Sequence, residues 1–168
     1  YVARRMGLPI AKLVVASNSN DILTRALSKG DHTLGTVEPT SSPSMDIQVS
    51  SNFERLLFDA YGRDADALRG LMHRLKTDRG FTIGAGPLAA MGEAFVGYRV
   101  GEDEVFATIE RVRREASMLV DPHTAVGLIA AAHVIIHSAA GQVPSPGVSG
   151  QFHLSLMAHL ATVALLVM

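Results

Sequence analysis

Three short polar phrases could meet an anion or move a proton. They are Ser17-Asn18-Ser19-Asn20-Asp21, Thr40-Ser41-Ser42-Pro43-Ser44-Met45-Asp46 and Asp121-Pro122-His123-Thr124. The first and third directly follow apolar runs. In open α/β sheets, ligands sit beyond the carboxyl ends of strands, where helix starts offer unpaired N–H groups. The same residue types also cap helices, so residue type alone leaves both roles open. His123 is either an acid/base or phosphate ligand, or a helix-start residue bonded to backbone. His133 and His137 stand four apart, but the acidic partner of a helical zinc motif is missing, so no metal site is expected. Thr82-Ile83-Gly84-Ala85-Gly86-Pro87 lacks the third glycine and the lysine of a nucleotide loop and reads as a turn. The three lysines, Lys12, Lys29 and Lys76, sit in no phrase that suggests a desolvated, nucleophilic amine. There is no cysteine, which excludes disulfides, thiolate metal sites and a cysteine nucleophile.

The elements that must position these phrases follow from the hydrophobic pattern. Lys12-Leu13-Val14-Val15-Ala16-Ser17 predicts a strand buried on both faces, as in a parallel sheet. Asp21 to Lys29 predicts a helix with Ile22, Leu23 and Leu27 inward and Gly30 closing it. Asp31 to Pro43 reads as loop, and Ser44 to Tyr61 as helix. Asp64 to Arg79 predicts a second helix, with Leu68, Leu71, Met72 and Leu75 inward. Phe81 to Gly92 reads as irregular, and Ala94 to Val100 as a strand. Glu102 to Ser117 has acids first and arginines last, with Val105, Ile109 and Val112 on one face, the pattern of a stable helix. Met118-Leu119-Val120 reads as a short strand, Ala125 onward as helix and Gly141 to Gly150 as loop. Tyr1 to Gly7 reads as the last turns of a helix that starts upstream. The alternation of strands and helices predicts an open α/β fold, helix-rich.

At 168 residues the chain is of single-domain size. It is 48% hydrophobic and 18% charged, too apolar for a solvating, disordered chain. Fifteen basic and sixteen acidic residues give net charge −1, so nothing global attracts a nucleic acid. Leu154 to Met168 is apolar but shorter than the roughly twenty residues a bilayer span needs, so no membrane partner is expected. The charge is unevenly placed. From Thr124 to Met168 there is no Asp, Glu, Lys or Arg, where ordinary composition would place about eleven.

Taken together, the phrases resemble the threonine synthase family. The resemblance lies in Leu13-Val14-Val15-Ala16-Ser17-Asn18-Ser19-Asn20-Asp21-Ile22-Leu23, in Ser42-Pro43-Ser44-Met45-Asp46 through Asn52-Phe53-Glu54-Arg55-Leu56-Leu57, and in Asp121-Pro122-His123-Thr124-Ala125-Val126-Gly127. They fall in the family's order and cover Tyr1 to about Ala131. The resemblance implies the tryptophan synthase β-like fold (pyridoxal phosphate fold type II). It implies a lyase reaction that takes O-phospho-L-homoserine and water to L-threonine and phosphate in the cytoplasm. Asn18, Asn20, Ser44, Asp46, Asn52, Arg55, His123 and Thr124 are then candidates for the wall of a cofactor and substrate pocket. The family's Schiff-base lysine and its substrate and cofactor-phosphate loops lie upstream of what Tyr1 matches. Residues 1–131 therefore read as the C-terminal part of a catalytic region, without turnover or firm cofactor binding alone. Two other readings stay open: a non-catalytic binding or regulatory module, and an interaction protein whose apolar tail docks or self-associates.

Residues 132–168 depart from the family, which continues with a strand and a Thr-Ala-His-Pro-Ala-Lys-Phe-Pro phrase. Here Ser138-Ala139-Ala140-Gly141-Gln142-Val143-Pro144 stands in its place. The codons GGC CAA GTT CCN for Gly-Gln-Val-Pro, read one base later, begin Ala-Lys-Phe-Pro. A slipped reading frame after about Ala131 is the expectation, and a charge-free tail fits it.

Overall fold

The computed structural model describes residues 1–139 and 163–167. In chain order its elements are α1 (Val2–Arg5), β1 (Lys12–Ser17), α2 (Ile22–Lys29), β2 (Asp31–Thr33), a 3₁₀ turn (Pro43–Met45), α3 (Phe53–Ala60), α4 (Ala65–Thr77), β3 (Gly80–Thr82), α5 (Ala85–Gly92), β4 (Phe95–Arg99), α6 (Glu102–Ala116), α7 (Pro122–Ala139) and β5 (Val163–Val167). The open α/β architecture is the one the pattern predicts. Among the described residues no helix is long and apolar enough to cross a membrane. The predicted loop Gly141–Gly150, and with it much of the charge-free tail, lies outside the described residues.

β1 is the central strand of a parallel sheet ordered β4-β1-β5. Its side chains alternate between two cores, which is why an unbroken apolar run is stable there. Leu13 and Val15 pack with Ile22, Leu23 and Ala26 of α2, Phe53 and Leu57 of α3, Leu71 of α4 and Met91 of α5. Val14 and Ala16 pack on the other side with Val105 of α6 and Ala125, Val126, Ile129 and Ala130 of α7. Met45, from the 3₁₀ turn, is buried in this second core. The register pairs Ser17 with Arg99 and Ala16 with Val167, so all three strands end on one edge.

Helix limits follow local chemistry. Gly30 takes the left-handed conformation (φ 73°) and ends α2. Asp64 accepts from the amides of Asp66 and Ala67 and starts α4. Arg25 ties α2 to its own start and to β2, at 3.0 Å from Asp21 and 2.5 Å from Asp31.

Four expectations are corrected. Helix does not run from Ser44; after one 3₁₀ turn the chain is irregular until α3 begins at Phe53. Residues 31–43 are not all loop, because Asp31–Thr33 pairs antiparallel with Gly80–Thr82 as β2–β3. Phe81 to Gly92 is not irregular, since β3 runs into α5, whose Pro87 lies in the first turn, where a missing N–H is harmless. Met118-Leu119-Val120 is not a strand: no ladder partner is formed among the described residues, and Leu119 is 77% exposed.

Candidate functional site

The carboxyl edge of the sheet collects the polar phrases. Asn18 follows the last residue of β1 and is fully buried. Its side-chain amide reaches Asp46 Oδ1 at 2.7 Å, Thr40 Oγ1 at 2.8 Å and Ser42 Oγ at 3.0 Å. Its carbonyl oxygen accepts from the Asn20 backbone N–H at 2.9 Å. Asn20 pairs with the peptide of Glu38 as a neighbouring strand would, accepting from its N–H at 2.9 Å and donating to its C=O at 2.8 Å. Gln48 does the same for the loop before it, accepting from Gly35 N–H at 3.1 Å. Side-chain amides thus satisfy a loop backbone that has no ladder.

Asp46 is the hub. Oδ1 accepts from Thr40 Oγ1 at 2.6 Å, Asn18 at 2.7 Å and Asn20 at 3.1 Å, while Oδ2 accepts from Thr40 N–H at 2.9 Å. Burial alone would raise its pKa. The donors from Thr40, Asn18 and Asn20 outweigh burial and hold the carboxyl below the ordinary range. The network therefore contains a fixed negative charge whose oxygens are already occupied.

α7 joins this edge through its first turn. Asp121 accepts from the backbone N–H groups of His123 (2.9 Å) and Thr124 (3.2 Å) and from Thr124 Oγ1 (2.6 Å). Those bonds, chiefly from Thr124, hold its carboxyl down to about 2. His123 Nδ1 lies 3.2 Å from Asp121, and Nε2 accepts from Ser44 N–H at 3.3 Å. His123 thus bonds the backbone of Ser44 and couples the start of α7 to the 3₁₀ turn. On the far side, Ser41 N–H donates to Glu102 Oε2 at 3.0 Å, tying the same loop to α6.

Five of the eight sequence candidates (Asn18, Asn20, Ser44, Asp46 and His123) share this network, and Thr124 adjoins it through Asp121. Asn52 and Arg55 do not join it. Asn52 precedes α3 without capping it, and both residues are exposed, with no side-chain hydrogen bond to the cluster. Thr40, Ser42, Gln48, Glu102 and Asp121 are members that the candidate set omitted. Thr40, Ser42 and Asp121 lie inside the quoted phrases. Glu102 gives no local signal, because its partner Ser41 is 61 residues away.

No protein-family model matches the chain. Threonine synthase of Pseudomonas aeruginosa is 43% identical over 131 residues, which cover 78% of this chain and 28% of that protein. The chain is a threonine synthase homologue. Threonine synthase of Saccharomyces cerevisiae is 38% identical over 149 residues, 80% of this chain and 29% of that protein. In three dimensions the homologue superposes on the pyridoxal-phosphate-bound threonine synthase of Brucella melitensis with a TM-score of 0.79. That match is 44% identical and covers 99% of this chain and 31% of the Brucella chain. The yeast enzyme superposes at 0.78 with 34% identity. This threonine synthase homologue therefore spans under a third of the length of these relatives.

Proposed function

We propose that this chain supplies one wall of a threonine synthase active site, where O-phospho-L-homoserine and water become L-threonine and phosphate in the cytoplasm. The observation that carries the reading is the closed Asp46–Asn18–Asn20–Thr40 network at the carboxyl edge of a sheet, in a chain 43% identical to a threonine synthase. In this reading Asp46, Asn18 and Asn20 position the loop, and Ser44 and His123 form its outer rim. Pyridoxal phosphate supplies that family's electron sink. The residues present do not hold it by themselves. Lys12 donates to the carbonyls of Gly92 and Glu93, and Lys29 and Lys76 are exposed on helices, so no lysine amine joins the network. The Asp121 carboxylate, just before α7, already accepts from that helix's first N–H groups, and the first turn of α6 carries Glu102, Asp103 and Glu104, where a phosphate would want unopposed N–H groups. The wall thus belongs to this chain and the covalent anchor to polypeptide outside it.

Two preparations test this. Residues 1–131, grafted in place of the matched segment of the Pseudomonas enzyme, are expected to keep release of phosphate from O-phosphohomoserine. A folded, inactive graft would sink the reading. The chain alone, given pyridoxal phosphate and O-phosphohomoserine, is expected to show neither imine absorbance nor phosphate release; turnover would overturn the assignment of a wall only.

We also read residues 132–168 as the product of a slipped frame, on the strength of the charge-free run from Thr124 to Met168. The encoding DNA is expected to give a charged, family-like sequence in another frame beyond about Ala131. If no frame does so, the tail is genuine coding sequence.

A further inference from the structure

His32 holds a position that the reaction does not explain. It lies at the centre of β2, 3% exposed, between two phenyl rings. Phe81, its cross-strand partner in β3, stacks at 4.7 Å and 12°, and Phe53, the first residue of α3, at 5.3 Å and 9°. Its Nδ1 is buried with no hydrogen-bond partner. The chain between His32 and Phe53 is the loop that carries Thr40, Ser42, Ser44 and Asp46. The stack therefore fastens together the two ends of the site loop, as an Ω-loop's ends are held.

We propose that the Phe53–His32–Phe81 stack is an acid-sensitive latch that closes the site loop when His32 is neutral and releases it when His32 takes a proton. Protonation would place a charge on a ring that is almost wholly buried and whose Nδ1 makes no hydrogen bond in the closed loop. The faces of the two phenyl rings attract a cation and so oppose release, but they replace only part of the hydration that the buried imidazolium gives up. The charged groups that act on the ring are Arg25 of α2 and Asp31 beside it in β2, while α3 and β3 bring their phenyl rings against it. Burial is the main influence and lowers the imidazole's pKa, outweighing an interaction with the residue's own backbone that raises it; Arg25 adds to the lowering and Asp31 opposes it. The sign is then fixed. The open loop binds the proton and the closed loop does not, so closure is complete above the ordinary histidine pKa and weakens as pH falls below it.

The test is amide hydrogen exchange on the full chain between about pH 7.5 and 5, corrected for intrinsic rates, at the N–H groups of Leu34, Glu38 and Thr40. All three are hydrogen-bonded in the closed loop. Protection is expected to fall by a factor approaching ten per pH unit below about 6.5. His32→Phe, which keeps three stacked rings, should make protection independent of pH. His123→Gln, which alters the other histidine at the loop, should leave the pH dependence in place. Should His32→Phe fail to fold, imidazole C–H resonances of the unmutated chain decide the matter, because His32 should titrate only in step with loop opening. Constant protection in the unmutated chain, titration of His32 while the loop stays protected, or a pH dependence that survives His32→Phe or vanishes with His123→Gln overturns the latch.

Discussion

Asp46→Ala is expected to destabilise the chain by about 3 kcal/mol, seen as a lower urea midpoint at unchanged slope. The carboxylate accepts four hydrogen bonds, and two of the donors are amides of Asn18 and Asn20, both buried. A buried donor that loses its partner costs about 1–3 kcal/mol, more when the partner was charged. The loss is not the full sum, because Asn18 keeps Thr40 and Ser42 within reach and Asn20 keeps the Glu38 carbonyl. Asp46→Asn separates charge from volume. It preserves shape but turns N–H groups toward donors, so it should cost about 2 kcal/mol rather than nothing. The carboxyl sits below its ordinary range in the folded chain. Its contribution is therefore complete above the unfolded value near 3.9 and is lost as pH falls through the lower folded value. The Ala variant should lack that part of the acid transition. A change of under about 1 kcal/mol in both variants would mean that Met45 packing, not the network, holds the loop.

The same network shows what local sequence can and cannot reveal. β1 was legible because burial on both faces leaves an unbroken β-branched run, and α6 because charge and apolar faces alternate along it. The loop was harder. Ser44 to Tyr61 has a helical stripe in Phe53, Leu56 and Leu57, but the residues before it are committed elsewhere. Asp46 binds Thr40, Asn18 and Asn20, and Gln48 binds Gly35. Those partners lie beyond a helical turn, so tertiary bonding overrides propensity. α5 was hidden by Gly84, Gly86 and Pro87, which read as a turn but start a helix. At the site, phrase composition drew attention to Asn18, Asn20, Ser44, Asp46 and His123, whereas the link between Ser41 and Glu102 has no local trace. Asn52 and Arg55 entered through resemblance alone, and they are the two candidates the fold leaves apart from the cluster.

Gly97→Ala should cost about 2–3 kcal/mol, although alanine is the better residue for most strands. A Cβ built on Gly97 would stand 2.8 Å from the Cα of Thr24, 3.2 Å from its Oγ1 and 3.3 Å from its Cβ. The nearest atom is backbone, so no rotamer change clears it; α2 must move off β4. That helix is fixed by Ile22, Leu23 and Ala26, all buried, and by the Thr24 hydroxyl on Ser17 Oγ at 3.1 Å. Its first turn adjoins Asn20, so displacement carries into the site network as well as the core. Thr24→Ala removes the hydroxyl and methyl but not the Cα, and it should not rescue Gly97→Ala. Gly70 supplies the opposite sign. It lies inside α4 with nothing within 4 Å of an added Cβ, so Gly70→Ala should stabilise by about 0.5–1 kcal/mol. If calorimetry gives both substitutions the same sign, then backbone entropy rather than the close approach of α2 to β4 governs Gly97, and the contact between that helix and the sheet is looser than these distances imply.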